Sequence, residues 1–226
     1  MVGQPDLNVP IMVAAPHTGF YDSLLVVYLN YCSVIGRAGS ERVPLFGNLT
    51  KLCQPIIVDR ENRDSRVDSI KKLCERVKSA QKWPPTLIFS EGTCTNHKAL
   101  IRFKPGAFIP GAPVQPVAIK LPKSSIDTLS WTWSGPHPYT LAWLTLCQLH
   151  VPIEFHFLPV YYPNESERND AELYAEHVRI LIAKQIDAKL TDYSFEDGYI
   201  MGKATEYNLP WEVGLVKVQD LRKRFE

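Results

Sequence analysis

No stretch of the sequence reaches the roughly 18 to 20 apolar residues that a bilayer-crossing helix requires, which excludes such a helix within these 226 residues. The first residues also lack the basic and apolar regions of a secretory signal. Charge of neither sign is in surplus. Twenty-five Lys and Arg stand against 24 Asp and Glu, a net charge of +1, so no global field draws the chain to nucleic acid and any anion site must be local. Cysteine is sparse and odd in number: Cys32, Cys53, Cys74, Cys94 and Cys147 are scattered, which argues against a disulfide framework or a zinc cluster and fits a reducing compartment. Internal repeats and low-complexity segments are missing too. What is present is ordinary globular composition, 45% hydrophobic and 22% charged, with enough length for one sizeable core and one domain over residues 1–226.

Strand-like and helix-like stretches alternate through the first half, an α/β signature. Ile11 to Ala15 reads as a buried strand and Asp22 to Tyr31 as a helix capped by Asp22. Cys32 to Ala38, Pro55 to Val58, Thr86 to Phe89, Val114 to Ile119 and Pro152 to Tyr162 are further strands. Asp64 is placed to cap a helix in which Val67, Ile70, Leu73, Cys74 and Val77 recur at helical spacing. The opposite face, with Lys71, Lys72, Arg76 and Lys78, reads as solvated. Ser130 to Trp133 and Pro138 to Leu149 are aromatic and apolar; core packing is the plainer reading, a surface meeting lipid or an acyl chain the sharper one. Leu173, Tyr174, His177, Val178, Leu181, Ile182 and Ile186 define a long amphipathic helix that makes His177 a structural histidine. Trp211 to Arg224 is a weaker final helix. The chain starts almost directly in a strand and stops inside a helical pattern, as expected of a core excised from a longer protein.

Chemistry-bearing residues cluster after strands, where function often sits. His17 lies five residues before Asp22, with Gly19 between them to permit a tight turn. Residues five apart do not share a helical face, so the two meet only if the chain turns. A carboxylate on one imidazole nitrogen fixes the tautomer and leaves the other nitrogen to take a proton, which makes a general-base pair. Ser90-Glu91-Gly92-Thr93-Cys94-Thr95-Asn96 is a second polar loop, and Gly92 in it can bring backbone N–H groups, candidate oxyanion donors, close to a ligand. Arg60 follows a strand and Lys104 follows the glutamate loop; a guanidinium fork and an ammonium both suit phosphate, although each residue also reads as a plain surface charge.

Together these segments are more specific than any one of them. His17 to Asp22, then Ile56-Ile57-Val58-Asp59-Arg60, then Phe89-Ser90-Glu91-Gly92-Thr93, then Val114-Gln115-Pro116-Val117 resemble the four ordered motifs of the glycerolipid acyltransferase superfamily, whose members include 1-acylglycerol-3-phosphate acyltransferases. Glu91 to Asn96, Phe103 to Gly111, Thr132-Trp133 and Thr191 to Asp197 look like the lysophosphatidylcholine acyltransferases of that superfamily, and the likeness runs from about Ile11 to Leu215. Two residues depart from the common pattern: Ser90 stands where proline is usual and Cys94 where arginine is usual. Cysteine there is a feature of the phosphatidylcholine branch and favours a headgroup other than bare phosphate.

The resemblance implies a mixed central sheet flanked by helices. It implies an acyl-CoA co-substrate with no permanently bound cofactor and no metal, a lysophospholipid acceptor, and a membrane surface as partner. His17 is the expected base, oriented by Asp22; Arg60, Glu91, Gly92, Thr93, Cys94 and Lys104 are the expected substrate-binding residues, with Glu91 orienting the acceptor. Relatives carry an N-terminal membrane segment and often C-terminal calcium-binding hands, which implies residence at the endoplasmic reticulum, Golgi or lipid droplets. Acceptors such as lysophosphatidate or lysophosphatidylethanolamine, and acetyl transfer to an ether lysolipid, stay open. So do a hydrolase with Cys94 or Ser90 as nucleophile and a non-catalytic lipid-binding module.

Overall fold

The computed structural model describes residues 1–40, 46–59, 62–121, 130, 132 and 136–223. Its centre is a six-stranded sheet in the order β3-β2-β4-β1-β6-β7. The strands are β1 (Ile11–Ala15), β2 (Ser33–Arg37), β3 (Ile56–Val58), β4 (Thr86–Phe89), β6 (Val114–Lys120) and β7 (Glu154–Phe157). All pairings are parallel except β6 with β7, which are antiparallel, so the sheet is mixed as expected. A separate pair, β5 (Ala99–Leu100) and β8 (Lys189–Leu190), is parallel.

Strand β1 explains the layering. Its five residues are all fully buried, the mark of a central parallel strand covered on both faces. Side chains alternate between faces along a strand. Ile11, Val13 and Ala15 therefore join one cluster with Leu73 of α3 (Arg63–Lys78) and Tyr174, Val178 and Ile182 of α6 (Ala171–Ile186). Met12 and Ala14 join the other, with Leu25 of α1 (Ser23–Tyr28) and Phe155 and Phe157 of β7. Burying each large aliphatic side chain contributes about 1.5–3 kcal/mol, so an acidic residue at Val13 would break the core at its centre.

Several local expectations are corrected. The helix after β3 starts one residue earlier than its expected cap: Asn62 is the N-cap and accepts from the N–H groups of Asp64 and Ser65, while Asp64 lies in the first turn. An acid there still favours the helix through the positive end of the backbone dipole. Val67 is exposed, and Ser69 takes the buried position. Arg76 leaves the solvated face, lies 4.5 Å over the Trp83 ring and donates to Ser33 Oγ. The segment from Pro152 to Tyr162 is a strand only over Glu154–Phe157, continued by an isolated bridge between Tyr161 and Val114. The apolar stretch after residue 137 is helix α4 (Pro138–Leu146), and it is no core element: among its described side chains Leu141 alone is fully buried, while Tyr139, Trp143 and Leu146 face outward. Helices α2 (Phe46–Leu52), α5 (Glu165–Asn169) and α7 (Phe195–Glu206) complete the fold, with α8 (Trp211–Lys223) where the final helix is expected. No helix among the described residues is long and apolar enough to cross a membrane.

Candidate active site

Parallel pairing of β1 with β4, with Ala14 opposite Phe89, delivers two loops to the same edge of the sheet. From β1 the chain passes through a cis Ala15–Pro16 bond to His17; from β4 it passes to Ser90 and Glu91. Between His17 and Asp22 the chain turns at Gly19, whose φ of 154° is open to glycine, and closes in a short 3-10 turn over Phe20–Asp22. Asp22 then stands at the N-cap of α1 without using its side chain as a cap, and α1 stops at Tyr28, three residues short of the expected Tyr31. The Asp22 carboxylate faces back into the turn. Oδ2 lies 2.6 Å from His17 Nδ1 and accepts from the Thr18 and Gly19 N–H groups at 2.8 and 3.0 Å, while Thr18 Oγ1 donates to Oδ1 at 3.2 Å. Four donors on one buried carboxylate leave it no freedom to swing, which explains both the lost cap and the fixed imidazole.

His17 is held from three further sides. Its ring stacks on Phe89 with centroids 4.2 Å apart. Its N–H donates to Glu91 Oε2 at 2.8 Å, and its carbonyl accepts from the Thr95 N–H at 2.6 Å. Burial disfavours the charged imidazole, but the Asp22 carboxylate and Cys94, which lies within hydrogen-bonding reach of the ring, outweigh it and raise the pKa to about 10. With Nδ1 committed to Asp22, Nε2 is the nitrogen left for proton transfer. The side chain keeps 24% of its surface exposed, so a substrate can reach it.

Glu91 is fully buried, and its carboxylate accepts from the His17 and Ile101 N–H groups and the Thr95 hydroxyl. Burial raises its pKa to about 7 against those donors. Its oxygens are engaged in tying the base-bearing loop to the loop after β4, not presented to an acceptor. Gly92 stands at φ 70°, a left-handed conformation that other residues adopt only under strain, and an added Cβ there would meet only the movable end of the Lys104 side chain. The expectation that its N–H serves an oxyanion is corrected, because that N–H donates to the Phe89 carbonyl at 3.0 Å and closes the turn. Thr93 and Cys94 are half-buried on the same loop. Lys104 is anchored beside it by its N–H to the Ser90 carbonyl, but its ammonium pairs with Glu196 at 2.9 Å and lies 3.9 Å over the Phe195 ring at the start of α7. Arg60, Trp131 and Trp133 lie outside the described residues.

Residues without an expected role thus shape the site: Phe89 under the ring, Thr18 on Asp22, and Thr95 on the His17 carbonyl. Phe89 and Thr95 sit within the quoted motifs, but their partners depend on the β1–β4 register. Ser90 is 2% exposed, and among the described residues its Oγ is the buried side-chain polar atom without a hydrogen-bond partner. That hydroxyl is not open to attack a substrate.

A family model described as acyltransferase matches residues 3–120, just over half of the chain. The chain is 44% identical to a lysophosphatidylcholine acyltransferase of Drosophila melanogaster over 93% of its own length, and 42% identical to human lysophosphatidylcholine acyltransferase 2 over 97%. It is 45% identical to lysophosphatidylcholine acyltransferase 1 of Danio rerio over 86%. It spans about two-fifths of the length of these relatives, 39%, 40% and 38% respectively. In fold it is similar to the crystal structure of PlsC, the 1-acyl-sn-glycerophosphate acyltransferase of Thermotoga maritima, with a TM-score of 0.50, 16% identity, and coverage of 82% of this chain and 71% of that one. A mixed sheet that carries a histidine–aspartate turn and a glutamate loop on one edge, together with a family match across that same region, means that the chain belongs to the acyltransferase family.

Proposed function

We propose that the chain is the catalytic core of an acyl-CoA-dependent acyltransferase that acylates the free glycerol hydroxyl of a lysophospholipid, lysophosphatidylcholine above all. The observation that carries this reading is the His17–Asp22 pair, 2.6 Å apart and partly open to solvent, in a chain 42–45% identical to enzymes named for lysophosphatidylcholine. In the reaction His17 Nε2 takes the hydroxyl proton as the acceptor oxygen attacks the thioester carbonyl. The tetrahedral intermediate collapses with loss of the coenzyme A thiolate, which regains the proton from His17, and the products are a diacyl phospholipid and free coenzyme A. General-base assistance of this kind contributes about 10²- to 10⁴-fold. Arg60 is the candidate for a substrate phosphate; Lys104 serves the same end only by exchanging Glu196 for it. Cys94, beside the base, fits a contact to the acceptor headgroup. The membrane surface is where such an acceptor resides.

The test is release of free thiol from acyl-CoA with a panel of acceptors: lysophosphatidylcholine, lysophosphatidylethanolamine and lysophosphatidate. Release that depends on the acceptor supports the reading and ranks the headgroups. No release with any acceptor would make a lipid-binding module the better account. A second reading is favoured by one contact, that of Cys94 with the His17 ring, which is the arrangement of a thiol nucleophile and its base. An acyl-enzyme trapped on Cys94 would support it, while sustained turnover by Cys94→Ala would remove it.

A further inference from the structure

Two helices carry apolar stripes on the wrong side for a globular core. In α1, Leu25 points inward, while Leu24 and Val27, 50% and 49% exposed, and Tyr28 point outward; Tyr31, also exposed, follows in the loop past the helix end. Leu24, Val27 and Tyr28 are spaced i, i+3, i+4, which is one helical face. In α4, Tyr139, Trp143 and Leu146 are spaced i, i+4, i+7 and are 83%, 67% and 81% exposed, with Leu141 turned the other way and buried. No Asp, Glu, Lys or Arg occurs from Ser23 to Gly36 or from Pro138 to Val151. The contrast is with α8, where the exposed Trp211, Val213 and Val216 are interspersed with Glu212, Lys217 and Asp220, as on a solvated face.

The two helices approach each other at the catalytic turn. The side chain of Tyr21, between His17 and Asp22, reaches that of Thr145 on the inward side of α4, and α1 starts at the next residue after Asp22. We propose that the outward faces of α1 and α4 form one docking surface for a phospholipid bilayer, set beside the catalytic turn. The inference rests on the proposed function for its substrate, because an acceptor that resides in a bilayer reaches His17 most directly from a surface touching that bilayer. The chemistry of the stripes points to lipid in its own right. Tyr and Trp mixed with Leu suit the water–hydrocarbon boundary, where an aromatic body is buried and its polar tip stays hydrated. A protein partner would be met by a polar rim with hydrogen-bonding groups around an apolar centre, and these two segments offer uncharged side chains from end to end. The absence of Lys and Arg also specifies the lipid: attraction to anionic headgroups has no source here, so docking is to a neutral, zwitterionic surface and resists salt.

The experiment is flotation of the protein with pure phosphatidylcholine vesicles at about 0.1 M and about 1 M salt, comparing the wild type with Trp143→Glu/Leu146→Glu and with Val27→Glu. Expected are binding by the wild type at both salt concentrations and a loss of at least about tenfold in partitioning for the charged variants, with Val213→Glu on α8 unaffected. The charged variants should keep the wild-type rate on a short-chain, water-soluble lysophosphatidylcholine. A second measurement needs no charged variant to fold: quenching of fluorescence by lipids brominated on the acyl chain, taken as the difference between the wild type and Trp143→Phe, reports whether residue 143 enters the bilayer. Equal partitioning of all variants, no quenching difference, or a dimer that dissociates in the charged variants with partitioning unchanged would each overturn the docking face. Binding that depends on the stripes without acyl transfer to any acceptor would leave the docking face standing and remove the proposed reaction.

Discussion

Among the described residues three histidines pair with a carboxylate; His156 meets the solvent-exposed Glu154, and the other two pairs, each on a buried carboxylate, are alike at the level of the pair. His17 meets buried Asp22 at 2.6 Å; His177 meets fully buried Glu167 at 2.5 Å, and in both the histidine reaches solvent. Their surroundings separate them. Asp22 binds the backbone of a glycine turn at the edge of a parallel sheet, beside a second polar loop. Glu167 sits in a capping box with Asn164 at the head of α5 and also accepts from the Tyr161 hydroxyl, so it joins β7's continuation to α5 and α6. Burial on its own would raise the Glu167 pKa, but the Tyr161, His177 and Asn164 donors outweigh it and hold it below 4.5. One pair presents a histidine to an open edge; the other spends its histidine on closing a joint. Identity and distance do not make a catalytic dyad; the backbone that carries it does.

The sharpest way to break the comparison is to delete each histidine's chemistry. His17→Ala is expected to cut acyl transfer per folded molecule by at least about a hundredfold, whereas His177→Ala should leave turnover per folded molecule intact; steady-state kinetics corrected for the folded fraction decide. Removing the carboxylates inverts the pattern. Glu167→Ala strands the Tyr161 hydroxyl, the Asn164 N–H and His177, and a loss of about 2–4 kcal/mol of stability is expected from urea unfolding. Asp22→Asn should instead act through acidity. The wild-type base must lose a proton held up to a pKa of about 10, so kcat/KM should climb as pH rises from 7 toward that value, and Asp22→Asn should move the climb to lower pH. A wild-type profile already flat at pH 7 would contradict the assignment.

The two pairs also oppose each other in stability. The His17 pKa is raised above its ordinary 6.5, so its contribution is fully present below that pH and is lost as pH rises toward about 10. That of Glu167 is depressed, so its contribution is present above 4.5 and is lost as pH falls through its lowered value. Acid unfolding of Glu167→Gln should therefore be less steep than that of the wild type. The smallest effect belongs to Ser90: because its buried hydroxyl lacks a partner, Ser90→Ala should be neutral or stabilising by about 1 kcal/mol, raising the melting temperature by roughly 2–4 °C. Destabilisation would mean that the hydroxyl is used.

The strands were legible because apolar, β-branched runs between turn residues leave little choice, and β1 is where the sequence said it should be. Caps were not. Asn62 and Asp64 are both good capping residues two positions apart, and which one caps depends on how the chain leaves β3. Asp22 had the right type for a cap, but four donors just upstream claimed its carboxylate first. The roles of Phe89, Thr95 and Glu91 were hidden because they arise across 74 or more residues or from sheet register, which periodicity does not encode. Helix α7 was readable in hindsight from Ser194 and Asp197, which form a capping box inside a segment noted only for its likeness to relatives.

The closure of the His17–Asp22 turn has a further consequence. Every hydrogen bond that fixes Asp22 comes from within six consecutive residues, whereas the Glu91 tie spans 74 positions. A loop that short closes at little entropic cost, so the proton-transfer element takes shape without waiting for the remainder of the sheet. Headgroup and acyl preference, by contrast, would reside in segments that reach the same edge from other strands. The His17–Asp22 turn is thus a self-contained unit, and the segments around it can change without rebuilding it.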